Sequence, residues 1–219
     1  MTFGAVFPRV MRPTFGPGLA AASGGVDWSQ WFDHCWVAKG AASLAASYSD
    51  LVGSQTLTAT GSPTWSAAGW AGFTIADYLH TGIIPAAGYT IMARGSGGST
   101  SNNYCLIGSL NGFNAGLVLH AGTGKRFWHG TSSTTISGNL TAGVLAMAGQ
   151  TGYVNGVSVG TVGNTTFSGA LVEMLIGARN RNDSTTDVPW PGTIEVVGIK
   201  LAVLDASAVA VASAAMAAL

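Results

Sequence analysis

The sequence has 219 residues, room for one generous domain, and only 18 are charged, 9 basic and 9 acidic; that 8% compares with about a quarter in an ordinary globular chain. Arg, Asp, Gly and Pro interrupt every apolar run short of the roughly 18 residues of a membrane-spanning helix, and a composition 47% hydrophobic and 9% aromatic argues against disorder. Lys125-Arg126 is the one pair of adjacent basic residues, so the clustered cations behind nucleic-acid affinity are missing, while zero net charge favours association with copies of the chain or with a larger body.

Residues 1–26 read as an extended arm, because Pro8, Pro13, Pro17, Gly16, Gly18, Gly24 and Gly25 deny it regular structure. Its Phe3, Val6, Phe7, Val10, Met11 and Phe15 are too apolar for a solvated linker. With Arg9 and Arg12 between them, these residues form the candidate anchoring interface. The segment either orders on a partner or straps across its own domain. Arg9, Arg12 and the prolines also fall where a signal peptide would run apolar, so synthesis and folding in a cytoplasm are expected.

Residues 27–219 form the expected domain. Trp28, Trp31, Phe32 and Trp36 stand at helical spacings of three and four, with Asp27 placed to cap them. Gly40 to Leu51 reads as a short helix or a loop. From about residue 55 the period becomes two, in a dozen short runs: 55–60, 73–75, 78–81, 90–94, 104–109, 116–120, 126–129, 144–150, 153–154, 157–162, 171–178 and 193–204. Their turn-marked spacing indicates an all-β, two-sheet antiparallel sandwich. Asn155-Gly156 supplies the positive φ values of a two-residue hairpin turn.

In the last run, Thr193, Glu195 and Lys200 are expected to face water. Their phases conflict, which predicts a β-bulge near Gly198 that sends Ile199, Leu201 and Val203 inward beside Ile194 and Val196. A helix closes the chain: Asp205 is its N-cap, and Val209, Ala212, Met216 and Leu219 form its apolar stripe. Cys35 and Cys105 lie far apart without metal spacing, and buried free thiols fit them better than a bridge.

Catalytic constellations are thin, and no enzyme is expected. Glu173 and Glu195, the two glutamates, read as solvent-facing strand residues rather than the facing carboxylates that glycoside hydrolysis needs about 5–10 Å apart. No G-x-S-x-G elbow occurs, and His34, His80, His120 and His129 have no sequence tie to a particular Ser or Cys. The polar loop 179–187 contains Asp183 and Asp187, weak candidates for calcium, whose oxygen ligands they resemble; Arg179 and Arg181 oppose a cation there, and no cofactor is expected. Seven tryptophans raise a glycan-binding alternative, with Trp128, Trp190, Asn180 and Asn182 as candidate contacts, against a reading in which large aromatics fill the sandwich ends.

The runs Gly88-Tyr89-Thr90-Ile91-Met92-Ala93-Arg94, Gly152 to Gly160, Leu175-Ile176-Gly177-Ala178 and Pro191 to Ile199, with Leu204-Asp205-Ala206-Ser207, resemble in order the signature strands of laminin G-like, concanavalin A-like jelly rolls. A narrower resemblance lies in Lys39 to Tyr48, Pro63-Thr64-Trp65 with Gly69-Trp70, Tyr78 to Ile83, and Ala214 to Leu219. It is to laminin G-like proteins encoded among the structural genes of tailed bacteriophages, which open with arms like Val6 to Pro13. The resemblance implies a jelly roll displayed on a virion, as a head decoration or fibre protein or on the tail. Partners would be copies of the chain, with a trimer expected, other virion proteins, and host surface glycans; neither nucleic acid nor membrane is expected.

Overall fold

A computed structural model of the protein describes residues 25–86, 88–99, 103–111, 115–130, 132–163, 172–181 and 186–219. The anchoring residues Phe3, Val6, Phe7, Arg9, Val10, Met11, Arg12 and Phe15 lie outside the described residues. The strands are β1 (His34–Val37), β2 (Thr58–Thr60), β3 (Thr64–Ser66), β4 (Gly69–Ala71), β5 (Tyr78–His80), β6 (Thr90–Ser96), β7 (Asn103–Asn111) and β8 (Ala115–His129). They continue with β9 (Ser132–Leu140), β10 (Gly143–Ala148), β11 (Thr151–Val154), β12 (Val157–Thr161), β13 (Leu175–Ile176), β14 (Arg179–Asn180), β15 (Thr186–Asp187) and β16 (Thr193–Lys200). The helices are α1 (Leu44–Ser47) and α2 (Ala206–Ala217).

Two eight-stranded sheets stack as a jelly-roll sandwich. The first runs β12-β11-β10-β6-β16-β4-β3, with β1 also on β16; the second runs β15-β14-β7-β13-β5-β2, with β8 on β7 and β9 on β8. All pairings are antiparallel except the short one between β14 and β7. Between the sheets lie Trp36, Trp70, Ile91, Leu145, Met147, Ile194 and Val197 from the first and Leu79, Ile107, Leu119, Phe127 and Ile176 from the second. Alternation then points Cys35, Val37, Met92, Val144, Ala146 and Val196 out of the far face of the first sheet, where Trp28, Phe32 and α2 cover them. The central strands are therefore buried on both faces.

The helix follows its sequence signals. Asp205 accepts from Ala208 N–H at 2.8 Å, and Val209, Ala212 and Met216 are buried with Leu219 packed beside them. At its other end Arg94 Nη1 donates to the carbonyls of Met216 and Ala217 at 2.7 and 2.9 Å, a cation on the negative end of the helix dipole. The hairpin also forms as expected: Asn155 and Gly156 have φ of 49° and 81°. Asn155 Oδ1 takes a second task, accepting from Val144 N–H at 2.9 Å.

Four expectations are corrected. The bulge in β16 falls between Ile194 and Val196, not near Gly198: Ile194 pairs with Gly95 and Val196 with Arg94, leaving Glu195 as the extra residue. Glu195 does not face water; it is 4% exposed, held by Arg94 Nε at 3.2 Å and Lys39 Nζ at 3.0 Å. The strand ends at Lys200, so Leu201 and Val203 are exposed rather than inward. Trp36 also leaves the aromatic knot. Trp28 to Gln30 form a single 3-10 turn capped by Asp27, but Trp36 belongs to β1 and points into the opposite layer.

Candidate functional site

The outer face of the second sheet carries polar chemistry near its β2 edge. Leu79 points into the core, so alternation turns Tyr78 and His80 outward. β2 is the outermost strand and pairs Thr58 with His80 and Thr60 with Tyr78, which sets Thr60 diagonally beside His80.

These positions close a three-residue network. His80 Nδ1 lies 2.7 Å from Glu173 Oε1, and Glu173 Oε2 accepts from Gly82 N–H at 2.6 Å. An ionised carboxylate can only accept, so Nδ1 carries a proton, and in the neutral imidazole Nε2 then presents its lone pair. Thr60 Oγ1 stands 2.7 Å from Nε2 and donates to it. The His80 and Glu173 side chains remain 30% and 26% exposed. The Tyr78 ring lies with its centroid 5.2 Å from the imidazole.

Arg179 and Asp187 extend this face through the register His80–Leu175–Gly108–Arg179. Asn180 Nδ2 donates to the Glu173 carbonyl at 3.1 Å. Arg179 grips Asp187 with two parallel hydrogen bonds, its Nε to Oδ1 at 2.7 Å and its Nη2 to Oδ2, and Arg181 Nη1 is 3.6 Å from the same carboxylate. Thr186 Oγ1 donates to the carbonyl of Ile75, tying β15 to the turn before β5.

The candidate contacts named from sequence are dispersed. Asn180 touches the backbone of Glu173, but strand register turns it to the side of Ser109, opposite Arg179 and His80; Trp190 is 1% exposed, with its indole N–H donating to Thr193 O at 3.2 Å. Its ring fills the sandwich end and is not presented to a ligand. Trp128 is half-buried against Cys105 and Val188. Asn182 and Asp183 lie outside the described residues. Asp187 is committed to arginines, and among the described residues no cluster of three or more His, Cys, Asp or Glu is arranged to hold a metal ion.

The two glutamates sit on opposite sides of the sandwich, Glu195 with the helix-covered face through Arg94 and Glu173 with the face of His80. That placement does not make the carboxylate pair of a glycosidase. Sequence reasoning missed the Thr60–His80–Glu173 network. Twenty residues separate Thr60 from His80 and 93 separate His80 from Glu173, and only the strand order joins them.

No protein-family model matches the chain, and no curated protein matches it. Its fold is similar to solved structures. A mutant of Trypanosoma rangeli sialidase displaying trans-sialidase activity superposes with a TM-score of 0.59 at 16% identity, covering 87% of this chain and 33% of that one. Domain 4 of AbnA, a GH43 extracellular arabinanase from Geobacillus stearothermophilus, in complex with arabinotriose, has a TM-score of 0.59 at 16% identity, covering 83% of this chain and 98% of that one. The chain thus spans a third of the sialidase and nearly the whole of the arabinanase domain. At this identity the likeness establishes a β-sandwich fold.

Proposed function

We propose that the chain is a carbohydrate-binding β-sandwich module, with its ligand lying across the outer face of the second sheet over Thr60, Tyr78, His80 and Glu173. The observation that carries this reading is the gathering of a phenol ring, an imidazole, a carboxylate and a hydroxyl on one partly exposed sheet face. Sugars combine apolar C–H faces with hydroxyls that both donate and accept. A ring that offers an apolar body and a polar tip suits the first, and acceptors and donors of fixed direction suit the second. The similarity to an arabinanase domain in complex with arabinotriose supports the same reading.

A glycan array followed by calorimetry on the best oligosaccharide tests it. Binding is expected, with Tyr78→Ala weakening it about tenfold, the equivalent of about 1.4 kcal/mol. A blank array, or affinity unmoved by Tyr78→Ala, would sink the assignment to this face.

A second reading is attachment to a larger particle, a virion in the sense of the phage resemblance. It is supported by apolar side chains left in water at Val157, Leu201, Val203 and Val211, which cost free energy unless covered. Deleting residues 1–26 should then abolish incorporation into particles, and normal occupancy after deletion would refute it.

A further inference from the structure

We propose that Thr60, His80 and Glu173 form a hydrolytic site for small acyl esters, with Thr60 as nucleophile, His80 as general base and Glu173 as the residue that positions the imidazole. The order hydroxyl, Nε2, Nδ1–H, carboxylate is what an activated hydroxyl requires: a base within hydrogen-bond reach of the nucleophile, itself oriented by a third group. Both contacts measure 2.7 Å. Gly82 N–H holds the free oxygen of Glu173, which fixes the carboxylate and through it the imidazole tautomer.

The His34–Asp50 pair shows the contrast. Its distance is the same 2.7 Å, but Asp50 is 1% exposed and its Oδ1 accepts from the backbone N–H of Cys35, Val52 and Gly53. That pair braces a loop. The Thr60 network instead lies half-open at a sheet edge, where a substrate can approach.

In the first step Thr60 Oγ1 bonds to the acyl carbon while its proton passes to His80 Nε2. The tetrahedral adduct collapses, the ester C–O bond breaks, and the leaving alcohol takes the proton from His80. Water then attacks the acyl-threonine with His80 again as base, releasing the carboxylic acid and restoring Thr60.

The test is the full chain with 4-nitrophenyl acetate, followed by rate and by mass spectrometry of the peptide holding Thr60. Hydrolysis with an acetyl group on that peptide is expected. Thr60→Val and His80→Ala should each lower kcat/KM about 100-fold, the low end of a general-base contribution, while Thr60→Ser retains turnover and shows that the fold tolerates the position. Glu173→Gln should lower kcat with KM unchanged, as loss of orientation predicts and loss of binding does not. A wild-type rate equal to that of Thr60→Val, or acetyl found only on lysines, would overturn the proposal. It shares Thr60, His80 and Glu173 with the proposed glycan-binding face but is tested separately: turnover with a blank array fails the sugar reading alone, and sugar binding without turnover fails this one alone.

Discussion

The ring of Phe32 rests directly on Gly198, where a Cβ would stand 2.6 Å from the ring carbons. β16 is buried on both faces, and this glycine admits an aromatic ring from the 3-10 turn region onto its outer side. Gly198→Ala would force Phe32 or the strand to move, and overpacking of this kind costs about 1–3 kcal/mol. A urea titration should show that loss. Co-substitution of Phe32→Leu should recover part of it, because the two positions share one contact; strict additivity of the two changes would contradict the packing argument.

Glu195 holds Arg94 and Lys39 from a nearly dry position, and Arg94 in turn holds the last carbonyls of α2. Glu195→Ala removes the partner of two cations and is expected to cost about 2 kcal/mol, a charged hydrogen-bond loss moderated by the partial exposure of Arg94 and Lys39. Amide exchange should quicken in the last turn of α2. Ester turnover and glycan affinity should be unchanged, since Glu195 lies on the far side of the sandwich from His80; a fall in either would relocate the site.

Strand alternation made the sandwich legible wherever apolar residues mark it, as in β6, β10 and the β11–β12 hairpin. It failed where both faces of a strand are lined with small or polar residues. Ser132–Leu140 forms β9, although a Ser/Thr/Gly run gives no period, and the separately expected runs 116–120 and 126–129 are one strand, β8, joined through Ala121-Gly122-Thr123-Gly124-Lys125. The bulge in β16 was legible as a phase conflict but misplaced. A glycine is the usual local cue for a bulge, whereas here the extra residue is a buried glutamate fixed by charges from β6 and from Lys39. His80 was dismissed because neither of its partners is near it in the chain.

Acid should loosen the fold through three carboxyls held below their ordinary value of 3.8. For Asp33, burial pushes the carboxyl up, but the Lys200 ammonium at 2.7 Å and Leu201 N–H at 2.8 Å more than offset it. The Thr74 hydroxyl and Ser62 N–H hold Asp77 down, and the Ser207 hydroxyl and Ala208 N–H hold Asp205 down. Unfolding returns each to its ordinary value. The unfolded chain therefore binds more protons below that value, and the stabilisation, full above it, is lost as pH falls through the folded values. The urea midpoint should stay nearly flat from about pH 7 to 5 and drop below about pH 4. Asp33→Asn with Asp77→Asn and Asp205→Asn should lower the neutral midpoint and shrink the acid drop; an unaltered slope would show that other groups govern it.

Cys35 and Cys105 are free, fully buried and on different sheets. Burial pushes both thiols well above their ordinary value, the Asp50 carboxylate pushes Cys35 further, and Arg179 draws Cys105 only partly back. Because the thiolate is the reactive form, neither should react with a disulfide reagent at mildly alkaline pH while the fold is closed. Their surroundings differ. Cys35 lies in a broad layer with Trp28, Phe32, Met92 and Val196 under the helix, whereas Cys105 packs against Trp128 and Val188 near the short strands β14 and β15. Local opening is cheapest where few apolar contacts hold a segment, so Cys105 is expected to label at a lower urea concentration than Cys35, ahead of the loss of far-UV circular dichroism. Labelling of both thiols at one midpoint would instead make the second sheet part of a single cooperative unit, and the polar face it carries would then be rigid before any ligand arrives.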